Sequence, residues 1–100
     1  MTKFNVLEKD TYTIVSFELD TPLTPEELKR LKPPQVDFSK GVVISGRGPI
    51  WLYGYLIHFY HPSKFVTIHD PRLGAVVIQS HSPEYKVGDV IKIYGDDCWG

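Results

Sequence analysis

The segment GVVISGRGP, residues 41–49, decides the fold of this chain. It opens with a run of β-branched residues, which favour a buried strand. Two glycines then flank Arg47 and allow positive φ and a close approach of the backbone to a ligand. Pro49 suits the first turn of a helix. The segment therefore predicts a strand that runs through a glycine loop directly into a helix.

We call Gly46, Arg47 and Gly48 the glycine loop, and it has the composition of a phosphate-binding turn. A helix N-terminus offers unpaired N–H groups and the positive end of the helix dipole to an anion, and the guanidinium of Arg47 adds a planar fork of donors. An ordinary strand-to-helix turn with a solvated arginine explains so short a motif equally well. The candidate ligand-binding residues are Ser45, Gly46, Arg47, Gly48 and Pro49.

The residues that follow extend this segment into a compact βαβ unit. A helix is predicted over 49–60, and because it is apolar nearly all round we expect it to be buried or to lie at a subunit interface. A strand over 65–69 should pair in parallel with 41–44. A turn at 70–74 then returns the chain as an antiparallel strand over 75–80.

The N-terminal part predicts two strands and a short helix. The strands, 4–7 and 12–19, are joined by a polar turn of hairpin length. The capping box at 24–27, with proline at the first helical position, predicts a surface helix that runs to about Leu31. The better core face of the second strand comprises Thr13, Val15, Phe17 and Leu19.

With a last strand over 90–94 and a loose tail at 95–100, these elements predict an α/β fold. It is a small Rossmann-like mixed sheet with one buried crossover helix and one short surface helix. We expect a single domain of residues 1–100, which is long enough to bury a core.

The composition excludes several classes of protein. The chain has 11 basic and 12 acidic residues and a net charge of -1, so it lacks the positive field that grips duplex DNA. Cys98 is the only cysteine, which excludes an internal disulfide. The start is unlike a signal peptide, and the longest uncharged stretch, 48–60, has thirteen residues, whereas a membrane span needs about 20. We expect a cytoplasmic protein that does not enter membranes.

Polar residues with possible chemistry fall at two ends of the predicted sheet. The glycine loop and the pair Asp70 and Arg72 each follow a parallel strand, so they should meet at one edge and could hold a phosphate. Residues 70–74 are also ordinary turn formers. His58 and His61, spaced i, i+3, share a predicted helix face and could bind a metal or exchange protons, although such pairs are more often plain surface histidines.

The histidines should lie far from Asp70. The helix carries the chain roughly 18 Å away from the glycine loop, at about 1.5 Å per residue. The returning strand then places His81 roughly 20 Å from Asp70, at about 3.3 Å per residue. One protomer cannot bring the two sets together. If both take part in one reaction, the site must form between subunits stacked with opposite ends in contact.

In the order SGRGPIWL, His58, His61 and DPRLGAVVIQSH, the chain resembles the small stand-alone, manganese-dependent ring nuclease of type III CRISPR systems. The match is close over residues 41–91. The resemblance implies a member of the CRISPR-associated Rossmann fold superfamily that dimerises, binds cyclic tetra-adenylate between two dimers and cleaves it, which switches off the signal. The family is also described as a manganese-dependent RNA 3′-end deadenylase.

Carried over residue by residue, the resemblance implies that residues 45–49 line the nucleotide-binding face. His61, Asp70 and Arg72 match catalytic positions, and Asp70, His81 and His58 are the candidate ligands of Mn²⁺. The implied assembly is a homodimer that forms a ligand-bridged tetramer or stack around cyclic tetra-adenylate or a short RNA. Tyr53 departs from the family pattern, which has histidine there.

Two other classes of function stay open. The chain could be a module that binds cyclic oligoadenylate or an RNA tetranucleotide without cleaving it. It could also be an interaction subunit whose apolar helix docks a partner, although this would leave the arginines and histidines unexplained.

Overall fold

The computed structural model describes residues 2–93, which form one mixed sheet with two helices. The six strands lie in the sheet in chain order, β1 to β6. The elements are β1 (Thr2–Glu8), β2 (Tyr12–Leu19), α1 (Pro25–Leu28), β3 (Gly41–Gly46), α2 (Ile50–Phe59), β4 (Phe65–Asp70), β5 (Gly74–Ser80) and β6 (Val90–Ile91). The predicted small Rossmann-like α/β fold is confirmed.

The three central strands, β2, β3 and β4, run parallel, and antiparallel strands flank them on both sides. Parallel neighbours cannot be joined by a tight turn. Two long connections therefore join the central strands: one contains α1, and the other is α2. Both parallel pairs end at the same edge of the sheet, so the loops that follow β3 and β4 leave the sheet side by side.

The central strands of the sheet are buried on both faces. The face under α2 holds Val15, Phe17, Val42, Ile44 and Val66 with Leu52, Leu56 and Tyr60. The opposite face holds Ile14, Val43 and Ala75, with Tyr12, Ile91 and Ile93 packed against them. Thr13, Val15 and Phe17 of the predicted better core face of β2 are buried, and so is Ile14 on the other face, because a parallel strand in the middle of a sheet is covered on both sides.

Helix α2 buries one face only. Leu52, Leu56 and Tyr60 are fully buried, whereas Ile50 is 86% exposed and Trp51 is 37% exposed. The helix is thus buried only on the side that the sheet covers, and the predicted alternative, a subunit interface for its exposed apolar residues, stays a prediction. Pro49 is the N-cap, with an extended backbone, and not the first helical residue as predicted.

The remaining boundaries differ from prediction by a few residues. The side chain of Thr24 accepts a hydrogen bond from the N–H of Glu27, which confirms the cap of α1, but the helix ends at Leu28 and not near Leu31. Strand β6 is shorter than predicted among the described residues. The predicted end of that strand at residue 94 and the tail at 95–100 lie outside the described residues. Neither helix in residues 2–93 has the length and unbroken apolar sequence of a membrane span.

Candidate functional site

The glycine loop between β3 and α2 is shaped by close contacts that exclude a side chain at Gly46 and leave little room for one at Gly48. Gly46 has φ of 148°, and a Cβ there would lie 2.6 Å from the main-chain oxygen of Phe17. A Cβ on Gly48 would lie 3.0 Å from the Phe17 ring and 3.1 Å from Leu52. Gly46 is therefore needed so that the loop can pass tightly over β2, whereas a side chain at position 48 would require Phe17 and Leu52 to shift slightly.

Tyr53 fastens this loop to α2. Its hydroxyl donates a hydrogen bond of 2.5 Å to the main-chain oxygen of Gly46, and its ring packs edge to face on Phe17. Burial raises the pKa of the Tyr53 hydroxyl, and a hydrogen bond from the backbone of Gly48 and the charge of Arg47 oppose that rise. Side chains on a helix point back toward its N-terminus, so a residue one turn into α2 covers the loop.

The surface of the glycine loop presents Arg47 and main-chain groups. Arg47 is exposed, whereas Ser45 is a fully buried residue of β3. The N-terminus of α2 has no side-chain cap, because Pro49 occupies the capping position. The first N–H groups of a helix have no partners within the helix. An anion at this surface would therefore meet a guanidinium and the positive end of α2.

Asp70 caps the turn between β4 and β5. Its Oδ1 accepts hydrogen bonds from the N–H groups of Arg72, at 2.8 Å, and Leu73, at 3.1 Å. The hydrogen bond from Arg72 is the main cause that holds the pKa of Asp70 below its usual value. The turn that the composition predicts is thus present. The side chain of Arg72 is 90% exposed and lies 4.0 Å from Oδ1, so its guanidinium is presented to solvent.

The two turns share one end of the sheet. Ile44 of β3 lies opposite Ile68 of β4, so the residues after each strand leave the same edge. We call this the loop end and define it by Arg47, Asp70 and Arg72. Its prediction from chain direction is confirmed.

Two histidines contact each other at the opposite end. The rings of His61 and His81 pack edge to face with centroids 5.3 Å apart, and both residues are exposed. The ring of His61 forms a hydrogen bond with Gln79, and the ring of His81 forms one with the main-chain oxygen of His61. We call His61, Gln79 and His81 the histidine end.

His58 does not join the histidine end. It lies on an exposed part of α2, whereas the helix ends at Phe59 and His61 follows in a turn. The predicted shared helix face of His58 and His61 was therefore wrong. The main-chain N–H of His61 still donates to the oxygen of His58, but the ring of His61 faces β5.

The two ends are separated by the length of β4. Asp70 lies opposite Gly74, and Phe65 lies opposite Ser80, so His81 follows β5 at the edge remote from Asp70. Five steps along the strand make about 17 Å at about 3.3 Å per residue. The predicted separation is confirmed. Across residues 2–93 of one chain, no three His, Cys, Asp or Glu side chains gather into a possible metal site, so Asp70, His81 and His58 cannot bind one ion together within a protomer.

Comparison with known proteins shows the family to which this chain belongs. Residues 16–92 match the model of the family described as CRISPR-associated protein (Cas_csx3). This chain belongs to that CRISPR-associated family. An uncharacterized protein of Aquifex aeolicus (strain VF5) is 57% identical over 91 residues, which cover 86% of this chain and 82% of that protein. The matched region contains both the loop end and the histidine end.

In this Cas_csx3 family member, sequence reasoning missed two residues that shape the candidate site. In the sequence, Tyr53 stands out only as a departure from histidine, yet its hydroxyl fastens the glycine loop. In the sequence, Gln79 is an ordinary residue of a predicted strand, yet its side chain contacts His61 twice. The position of Tyr53 one turn into the helix was a usable signal. No signal in the sequence indicates the role of Gln79, because the orientation of its side chain depends on an irregular pairing of β4 with β5.

Proposed function

We propose that this CRISPR-associated protein is a manganese-dependent ring nuclease that binds cyclic tetra-adenylate and cleaves it to short linear adenylates, which ends type III CRISPR signalling. Two observations support this proposal. The chain belongs to a CRISPR-associated family, and it carries both anion-binding groups and exposed imidazoles. The observation that carries the proposal is the contact between the exposed rings of His61 and His81.

The proposed reaction is an internal phosphoryl transfer. The ribose 2′-hydroxyl attacks the adjacent phosphorus, the bond from phosphorus to the 5′-oxygen breaks, and the products are a 2′,3′-cyclic phosphate and a 5′-hydroxyl. One imidazole takes the 2′-hydroxyl proton and a proton is returned to the leaving oxygen. His61 is our candidate for this proton exchange. Arg72 would stabilise the negative charge that builds up on the phosphate oxygens.

The proposed site forms between chains. Because Asp70 and His61 lie at opposite ends of one protomer, the histidine end of one subunit must face the loop end of a neighbour for both to reach one phosphate. The ring of four adenylates would lie between them, held by Arg47. A compact tetranucleotide suits a chain with a net charge of -1 better than a long polyanion does.

Mn²⁺ is part of the proposal at the same intermolecular position. Asp70 of one chain with His81 of the next would supply a carboxylate and an imidazole, a donor set that Mn²⁺ accepts. When bound, the ion would polarise the phosphate oxygens. His58 lies apart from these groups in the described chain, so it is the weakest of the predicted ligands.

The direct test is to incubate the protein with cyclic tetra-adenylate, with and without Mn²⁺, and to separate the products by chromatography. We expect linear adenylates in the presence of Mn²⁺ and their loss in Asp70→Ala and His61→Ala. Asp37→Ala is a matched control, because Asp37 also caps a local turn, through Ser39, and is not one of the residues that define the loop end or the histidine end. Intact ligand in every sample would overturn the proposal, and shortening of an RNA 3′-tail instead would favour the deadenylase function.

One observation favours a second candidate, a binding module that does not cleave. The Oδ1 atom of Asp70 already accepts two hydrogen bonds within its own turn, so the carboxylate has a structural role in holding that turn. In that case Arg47→Ala would abolish ligand binding, while His61→Ala would leave it intact and no variant would change the ligand.

A further inference from the structure

The side-chain amide of Gln79 contacts His61 at two points. Its Nε2 atom lies 2.8 Å from the main-chain oxygen of His61, and its Oε1 atom lies 2.9 Å from Nδ1 of the same residue's ring. A carbonyl oxygen can only accept a hydrogen bond, so the amide atom that faces it must be the NH₂ group. This contact fixes the orientation of the amide and places Oε1 against the imidazole.

The fixed amide dictates which ring nitrogen carries the proton. Oε1 of Gln79 can only accept, so Nδ1 of His61 must donate, and in a neutral imidazole the other nitrogen then has a free lone pair. We infer that Gln79 is a positioning residue that holds His61 in the Nδ1–H tautomer and leaves Nε2 as its reactive atom. The use of Nε2 in catalysis rests on the proposed function, whereas the tautomer does not.

His81 is oriented by the same carbonyl. Its Nε2 lies 3.1 Å from the main-chain oxygen of His61, so Nε2 must carry the proton and Nδ1 is the nitrogen with a lone pair when the ring is neutral. The oxygen of His61 thus accepts from both Gln79 and His81. The histidine end therefore presents two imidazoles with assigned donor and acceptor atoms.

A β-bulge brings Gln79 to this position. Val66 lies opposite Gln79, but Thr67 lies opposite Val77, so Ile78 is an extra residue in β5. Regular alternation would place Gln79 on the face of Val77, which is remote from α2. The bulge turns Gln79 to the face of Val66, which packs under α2 and next to the turn that holds His61.

The test is ¹⁵N NMR of the histidine rings at a pH well above the usual imidazole pKa of about 6.5. We expect the wild type to show a protonated Nδ1 and an unprotonated Nε2 for His61. Gln79→Leu removes both contacts and should give a mixture of tautomers. Gln79→Glu keeps an oxygen that accepts from Nδ1–H, so it should retain the wild-type tautomer. Gln35→Leu, at an exposed glutamine that does not belong to the histidine end, should change nothing.

A wild-type His61 with its proton on Nε2, or an unchanged tautomer in Gln79→Leu, would overturn the inference. If Gln79→Leu fails to fold, the wild-type and Gln79→Glu spectra decide the question between them. In the cleavage assay we expect Gln79→Leu to lower kcat about 10-fold to 100-fold with unchanged ligand affinity. A wild type that shows the Nδ1–H tautomer but no cleavage would refute the proposed function and leave the assignment of the tautomer in place.

Discussion

The hydroxyl of Tyr53 and the main-chain oxygen of Gly46 form a hydrogen bond that ties α2 to the loop in front of it. The same tyrosine ring packs edge to face on Phe17 of β2, with centroids 5.5 Å apart. One side chain therefore connects a central strand, the glycine loop and the crossover helix. Arg47 directly follows Gly46, so Tyr53 holds the backbone from which the exposed guanidinium extends.

Tyr53→Phe should weaken both the fold and the loop. The variant keeps the ring but leaves the oxygen of Gly46 without its donor, and we expect the free energy of unfolding to fall by about 1 kcal/mol. Affinity for cyclic tetra-adenylate should fall as well, because Arg47 is less firmly placed. Urea denaturation measures the change in stability, and calorimetric titration measures the change in affinity.

Tyr55→Phe is the control on the same helix. The hydroxyl of Tyr55 is 3.4 Å from the main-chain oxygen of Leu31, so we expect a smaller loss of stability. Equal losses in the two variants would contradict this role for Tyr53.

Alanine substitutions at two glycines should have opposite effects on stability. Gly46→Ala places a Cβ 2.6 Å from the oxygen of Phe17 at a positive φ, so we expect the free energy of unfolding to fall by about 2–3 kcal/mol. Gly54 lies within α2, and a Cβ there meets nothing within 4 Å. Gly54→Ala should raise the free energy of unfolding by about 0.5–1 kcal/mol. Urea midpoints of the two variants would show whether the signs differ.

Asp70 should stabilise the fold in its charged form. Its pKa in the folded chain is below the ordinary value of 3.8, chiefly because the N–H of Arg72 donates to it. A lowered pKa means that the stabilisation is complete above pH 3.8 and is lost as the pH falls through the folded value. The wild type should therefore be more stable than Asp70→Asn at neutral pH, and the gap should close in acid.

Urea midpoints from neutral pH to below pH 3 would measure this gap. Asp37→Asn should show the same sign, because hydrogen bonds from Ser39 lower the pKa of Asp37 in a similar turn. A gap between the wild type and Asp70→Asn that is constant with pH would mean that the charge of Asp70 does not contribute.

The sequence predicted the elements and the two ends because both follow from chain direction and hydrophobic pattern. β-Branched runs marked the central strands, and the capping box marked the start of α1 at Pro25. Parallel pairing of β3 with β4 then placed Arg47 and Asp70 at one edge. None of these steps needed a tertiary contact.

The sequence did not predict the contacts that complete each end, since these depend on irregular backbone. Period-two alternation places Gln79 with Ala75 and Val77, and only the extra residue at Ile78 moves it to the side of His61. The second buried face of β2 was missed for another reason. Ile91 and Ile93 pack against the cluster that contains Ile14, and because they come much later in the chain, no local sequence pattern indicates this contact.

Arg47→Ala should weaken binding of cyclic tetra-adenylate without changing stability. The side chain is exposed, so the free energy of unfolding should stay within about 0.5 kcal/mol. Loss of hydrogen bonds to a charged phosphate should cost about 1.5–3 kcal/mol of binding free energy. Calorimetric titration at two salt concentrations measures the affinity and its salt dependence. Arg30→Ala, at another exposed arginine, should bind like the wild type, and equal losses in both variants would point to a general charge effect.

A mixture of two inactive variants should recover cleavage if the site forms between chains. Asp70→Ala keeps an intact histidine end, and His61→Ala keeps an intact loop end. In an equal mixture, about a quarter of the end-to-end contacts would join two intact ends, so about a quarter of the wild-type rate should return. Asp70→Ala mixed with Arg72→Ala is the matched control, since both lesions lie at the loop end and no contact can be complete. Recovery in the control, or none in the first mixture, would show that the reaction does not need the two ends of neighbouring subunits.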